Sequence, residues 1–102
     1  MVAKTDILTR VDGNLDYASA MVGDLPEVVE EWDDEPIVDL HAWEMEWHEA
    51  MDRLHTVYEA REAGFLRPDQ EERYQAVLRE LKPQLPTVQR LELFLPRFPI
   101  DE

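Results

Sequence analysis

The chain has no cysteine, a single serine (Ser19) and only three glycines, at positions 13, 23 and 64. Without cysteine there is no disulfide framework, thiolate metal site or thiol nucleophile, and nothing points to an oxidising compartment. A serine nucleophile needs a base beside it, and the only histidines, His41, His48 and His55, all fall within one predicted helix. Glycines so widely spaced cannot form a phosphate-cradling loop. No apolar run approaches the roughly 20 residues that span a bilayer. The opening MVAKTDILTRVDG meets charge every few residues, unlike the apolar stretch of a signal peptide. The expectation is a cytoplasmic protein with no catalytic residue and no cofactor.

Positive charge is scarce: 10 Lys and Arg face 24 Asp and Glu, a formal net charge of -14. The deficit is lopsided. Residues 1–52 hold 15 acids against Lys4 and Arg10, whereas residues 53–102 hold 9 against 8. From Asp24 to Asp52 there are 12 acids and no Lys or Arg. Such a segment repels phosphate backbones and anionic lipid, which argues against direct nucleic-acid or membrane binding.

What is present is enough for a core. Hydrophobic residues are 44% and charged residues 33% of the 102 residues, the balance of a folded protein. A single domain of this length, 1–102, buries roughly 60–65% of its unfolded surface.

The periodicity is helical throughout. Leu8, Val11, Leu15, Ala18, Val22 and Leu25 recur every three or four residues. They predict an N-terminal helix over about 5–22, capped at Thr5 or Asp6, weakened at Gly13 and ended by Gly23 in a positive-φ conformation. Leu25-Pro26 then restarts a short helix with Val28, Val29 and Trp32 inward, before an acidic connector that completes a 1–35 segment. A second helix over about 36–63 begins at Pro36, ends at Gly64 and carries the stripe Leu40, Trp43, Trp47, Met51, Leu54 and Tyr58, with Ala50 and Val57 on its margin. A third over about 68–92 opens at Pro68, presents Tyr74, Val77, Leu78, Leu81 and Leu85, and breaks near Pro83 and Pro86, leaving Val88 and Leu91 on a last short piece. Arg67 offers no capping oxygen there. The short link between these two amphipathic segments predicts an antiparallel helical hairpin spanning 36–92. The fold class is therefore all-α, a small bundle built on that hairpin, with an extended apolar tail over 93–102.

Four groups of residues invite a functional reading. His41, His48 and His55 lie seven apart, roughly 100° from the apolar stripe, with Glu44, Asp52 and Glu59 one turn away. Glu44, His48, Asp52, His55 and Glu59 are thus metal-ligand candidates, although the Glu-x-x-His spacing of ferritin-like di-iron sites is missing and an ordinary solvated flank explains them. Trp43 and Trp47 read as core or as a dimer seam, and Met45 points away from their stripe toward a second contact surface. The acids Asp33, Asp34, Glu35, Asp39, Glu46 and Glu49 form either a solvated face, partly neutralised by Arg53, Arg61, Arg67, Arg73 and Arg79, or a docking surface. In the tail, Phe94, Leu95, Phe98 and Ile100, with Leu93, either fold back or enter a partner's groove.

A concentrated negative surface and an apolar tail both suit a macromolecular partner. The reading that follows is a non-enzymatic, acidic protein-binding module: an antitoxin-like or inhibitor-like neutraliser of a basic protein, or an accessory subunit of a larger complex. In size and charge alone the chain is similar to many bacterial antitoxins. The alternatives are an acidic mimic of DNA, using Glu35, Asp39, Glu46 and Glu49 as a charge row, and a metal-binding hairpin that dimerises into a ferritin-like four-helix bundle. A homodimer is compatible with each.

Overall fold

In a computed structural model the fold is all-α, with no strand across the described residues, which are 4–34, 36–96, 98 and 100, with residues 4–9 and 37 described by backbone alone. Four α-helices follow in order: α1 (Lys4–Glu30), α2 (Ile37–Glu62), α3 (Pro68–Leu81) and the six-residue α4 (Leu85–Arg90). One-turn 3-10 helices at Trp32–Asp34 and Lys82–Gln84 join α1 to α2 and α3 to α4. Among the described residues no helix is long and apolar enough to cross a membrane.

The largest departure from expectation is α1. It does not stop at Gly23; one helix of 27 residues runs on through Gly23 and Pro26 to Glu30. Gly23 and Pro26 penalise helix by about 1 and 3 kcal/mol. Burial outweighs them: Val22 and Leu25 are fully buried, each contributing ~1.5–3 kcal/mol, and Val29 and Trp32 pack on the same core. Pro26 also withdraws the N–H that the Val22 carbonyl would accept one turn back. The Gln84 side chain replaces it, its Nε2–H donating to Val22 O at 3.4 Å.

The breaks elsewhere fall where the sequence puts them. Gly64 has φ +81°, and the N–H groups of Gly64 and Phe65 donate to Arg61 O and Ala60 O, the paired closure that ends a helix at a left-handed residue. Pro36 precedes α2 as its cap residue rather than its first helical one. At α3 Arg67 has no oxygen to cap the helix N–H groups, but the reciprocal bond of a capping box is made: Gln70 Oε1 accepts the Arg67 backbone N–H at 3.0 Å. Gln70 is fully buried, and its Nε2 also donates to Asp12 Oδ1 of α1 at 3.0 Å.

α1 is the element on which both α2 and α3 pack. Its buried Val11, Leu15, Ala18, Met21, Val22 and Leu25 meet Trp47, Ala50, Met51, Leu54 and Val57 of α2 and Tyr74, Val77, Leu78 and Leu81 of α3 in one cluster. The two arms of the hairpin are therefore held together mainly through the first helix.

The tail returns to the body of the protein. Glu92 adopts φ +60°, and the N–H groups of Glu92 and Leu93 close on Gln89 O and Val88 O in the same paired pattern as at Gly64. Leu93 is 5% and Phe98 7% exposed. The buried Trp47 indole N–H donates to the Phe94 carbonyl at 2.8 Å. The Phe94 ring lies 4.1 Å from His48, and Phe98 stacks on Tyr58 at 5.4 Å.

Two stability predictions follow from these turns. Gln84→Ala is expected to cost about 1 kcal/mol in the wild-type chain and measurably less in a Pro26→Ala background, where the helix supplies its own donor to Val22; urea unfolding of the four-member cycle measures the coupling. Glu92→Gly relieves a left-handed non-glycine residue, and a gain of about 0.5–1 kcal/mol in the same assay is expected.

Candidate functional site

Arg61, Arg67 and Arg73 are paired at one end of the protein. Arg67 and Arg73 both reach Asp12 Oδ atoms at 3.4 Å, Arg73 also pairs with Asp16, and Arg67 pairs with Asp69 at 3.1 Å. Arg61 holds Glu71 at 2.8 Å and Glu62 at 3.4 Å. With Gln70 among them, these groups knit α1 to the start of α3. Partial burial works against the Glu71 carboxylate, but hydrogen bonds from Arg61 and Gln75 carry it below the usual range. The Arg67 hydrogen bond does the same for Asp69. Burial pushes the Tyr74 hydroxyl up to about 12.

The segment from Asp24 to Asp52 receives little of this compensation. Arg53 pairs with Glu49 at 2.8 Å while lying 4.5 Å from the Tyr17 ring centre, and His48 approaches Asp52 at 3.8 Å. Glu27, Glu30, Glu31, Asp33, Asp34, Asp39 and Glu46 enter no ion pair among the described residues, and each is exposed. The expected partial neutralisation by Arg53, Arg61, Arg67, Arg73 and Arg79 therefore reaches this segment through Arg53 alone among the ion pairs. The reason is topological: the other paired arginines begin or flank α3, at the far end of α1. Glu35 lies outside the described residues.

The helix ends sharpen the contrast. α2 and α3 each place acid in their first turn, which suits the helix dipole, and an arginine in their last, Arg61 beside Glu59 and Glu62 and Arg79 beside Glu80. α1 has no base in its last turn, which instead carries Glu27 and Glu30 at the negative end of the longest dipole in the protein.

Within this acidic region two large apolar side chains stand in solvent, Val38 at 72% and Met45 at 62% exposure. With the exposed Ala42 they form a strip at helical spacing on the face of α2 opposite its buried stripe. Asp39 and Glu46 flank it. Met45 had marked this face in the sequence; Val38 carried no signal there, because a single valine near a helix start is ambiguous.

Of the two readings of the tail, folding back or entering a partner's groove, the described residues show contacts within the chain. Phe98 is buried within the chain, and Phe94 and Ile100 are half-buried against the core, so these side chains are committed internally. Leu95, 43% exposed, is the member of that group that reaches solvent. The physical cause is Trp47, whose buried N–H requires an acceptor and finds the tail carbonyl.

The metal candidates do not converge. His48 pairs with Asp52, and His55 with Glu59 at 3.6 Å, while Glu44 joins neither. Seven residues of helix separate the two histidines by about 10 Å, and among the described residues no three His, Asp or Glu side chains are placed to hold one ion. In the row of Glu35, Asp39, Glu46 and Glu49, Arg53 pairs with Glu49 at one end.

Neutralising Glu31→Gln, Asp33→Asn and Asp34→Asn together is expected to leave the thermal midpoint unchanged or raise it, because it relieves like-charge repulsion. Asp12→Ala withdraws an acceptor from buried Gln70 and from two arginines and is expected to cost about 1–2 kcal/mol. Circular dichroism melts compare the two; a clear loss in the triple variant would mean that the acids serve the fold.

No protein-family model, no curated protein and no solved structure matches this chain.

Proposed function

We propose that this chain is a non-enzymatic module that binds a basic protein through the acidic surface formed by the end of α1, the Trp32–Asp34 turn and the outer face of α2. The observation that carries this reading is the uneven compensation of charge: the far end is tightly ion-paired, while here, among the described residues, Arg53 pairs with Glu49 and Glu27, Glu30, Glu31, Asp33, Asp34, Asp39 and Glu46 enter no ion pair. A field of one sign raises encounter rates with an oppositely charged partner by 10- to 1,000-fold and fades with salt. Affinity needs desolvated apolar contact as well, and the Val38–Met45 strip offers it, ringed by the acids that set orientation. Neutralisation of a basic toxin-like or enzyme partner, or attachment to a larger assembly, are both uses of such a surface.

Affinity capture from the native host followed by measured association rates tests this. The expected result is a basic partner whose association slows as ionic strength rises, is lost with the Glu31→Gln, Asp33→Asn, Asp34→Asn variant, and is unchanged by Glu72→Gln on α3. Recovery of this chain alone, or binding indifferent to both salt and the triple substitution, overturns the reading.

A further inference from the structure

Between the last turn of α1 and the first two turns of α2 lies a cleft of about 230 Å³, lined by Val28, Glu31, Asp39, Leu40 and Trp43. Its floor is apolar and aromatic, and its two carboxylates come from different elements. We propose that this cleft is a socket for one arginine side chain of the basic partner, an inference that rests on the reading above and names the contact it turns on.

Size limits the ligand first. Pockets for whole small molecules run from about 300 to 1,000 Å³, so this cleft suits a single side chain. Charge limits it next. Glu31 and Asp39 are exposed and enter no ion pair among the described residues. No lysine or arginine occurs in residues 24–52, and the ion pairs of Arg61, Arg67 and Arg73 lie at the other end of α1. The C-terminal end of α1 and the N-terminal end of α2 meet here with opposing dipoles, so the carboxylates set the field. The guest is a cation.

The wall decides which cation. Trp43 is stacked at 5.4 Å and 22° on the fully buried Trp47, and Trp32 meets it edge-on at 6.2 Å and 87°. The indole is thus held before any ligand arrives, which removes an ordering cost. A guanidinium is planar, weakly hydrated and forked: it can lie against an indole while its N–H groups reach two separate carboxylates, and its three methylenes cover Val28 and Leu40. A lysine ammonium is a compact, strongly hydrated point charge and meets these demands less well.

The test uses the full chain and capped amino acids, N-acetyl-arginine methylamide against its lysine and citrulline counterparts, observed through the Trp43 indole N–H resonance. The arginine compound is expected to saturate with a dissociation constant on the order of 1–10 mM, the lysine compound to bind more weakly, and uncharged citrulline not to saturate. Combined Glu31→Gln and Asp39→Asn should weaken arginine binding about fivefold or more, and Asp16→Asn should leave it unchanged. Because Trp43→Leu removes the reporter and part of the packing, it is read by calorimetry on chain whose helicity is intact, with loss of binding expected. No saturation by the arginine compound, equal binding of citrulline or lysine, or indifference to the carboxylate pair overturns the socket. A captured partner that ignores Trp43→Leu overturns the socket while leaving the acidic-face reading intact. Arginine binding without any captured partner leaves the socket standing and removes that reading.

Discussion

The fold depends on α1 continuing past the point where its own sequence would end it. Both α2 and α3 rest on this helix, and the end that carries Leu25 and Val29 and leads into Trp32 exists as a packing surface only because Pro26 is tolerated. Tolerance has two sources of different kinds. Burial of Val22 and Leu25 supplies the free energy, and the Gln84 amide repairs the Val22 carbonyl that proline leaves without a backbone donor. Gln84 can do so because Pro83 tightens the chain into a 3-10 turn beside α1. One proline creates the defect, and another helps position its remedy.

Charge segregation is a consequence of the same geometry. The α3 end brings Arg67 and Arg73 against Asp12 and Asp16 in the first half of α1, and Arg61 against Glu71, so these three cations are satisfied there. The remainder of α1 and the start of α2 lie beyond their reach. Screening confines such fields to about 8–10 Å at ordinary ionic strength, so the paired end does little to soften the acidic one. The protein therefore presents two electrically distinct ends on one small core.

Much of this was legible from spacing alone. The all-α class, α2 with its stripe, the Gly64 stop and the break at Pro83 follow from period, glycine and proline, which act locally. What was illegible required knowing what packs on what. Gly23 and Pro26 read as a stop because local propensity cannot register that Val22 and Leu25 are both buried by other helices. Gln70, a polar residue among charges, gave no hint that it is fully buried, because its partners are the Arg67 backbone and an aspartate 58 residues away. The tail was recognisably apolar, but its return to the body hinges on the Trp47 N–H and on Glu92 taking a left-handed turn usually given to glycine. The acidic segment was plain in composition; how little of it cations from the rest of the chain would pair was not, since that depends on where the arginines fold.

The acids at the end of α1 bear on function through what they do to stability. Carboxylates at the negative end of a helix each oppose its dipole by about 0.3–1 kcal/mol, and a base in that turn would reverse the sign. α2 and α3 each set an arginine among the acids of their last turns, Arg61 beside Glu59 and Glu62 and Arg79 beside Glu80, whereas α1 has none. Glu27, Glu30 and the following Glu31 and Asp33 thus stand where folding alone would select against them, beside a cleft walled by a fixed tryptophan. Departures from the stability optimum gather where a surface serves something other than the fold. In the proposed complex a cation brought by the partner would meet Glu31 and Asp39 together, and so relieve an arrangement that is unfavourable in the free protein.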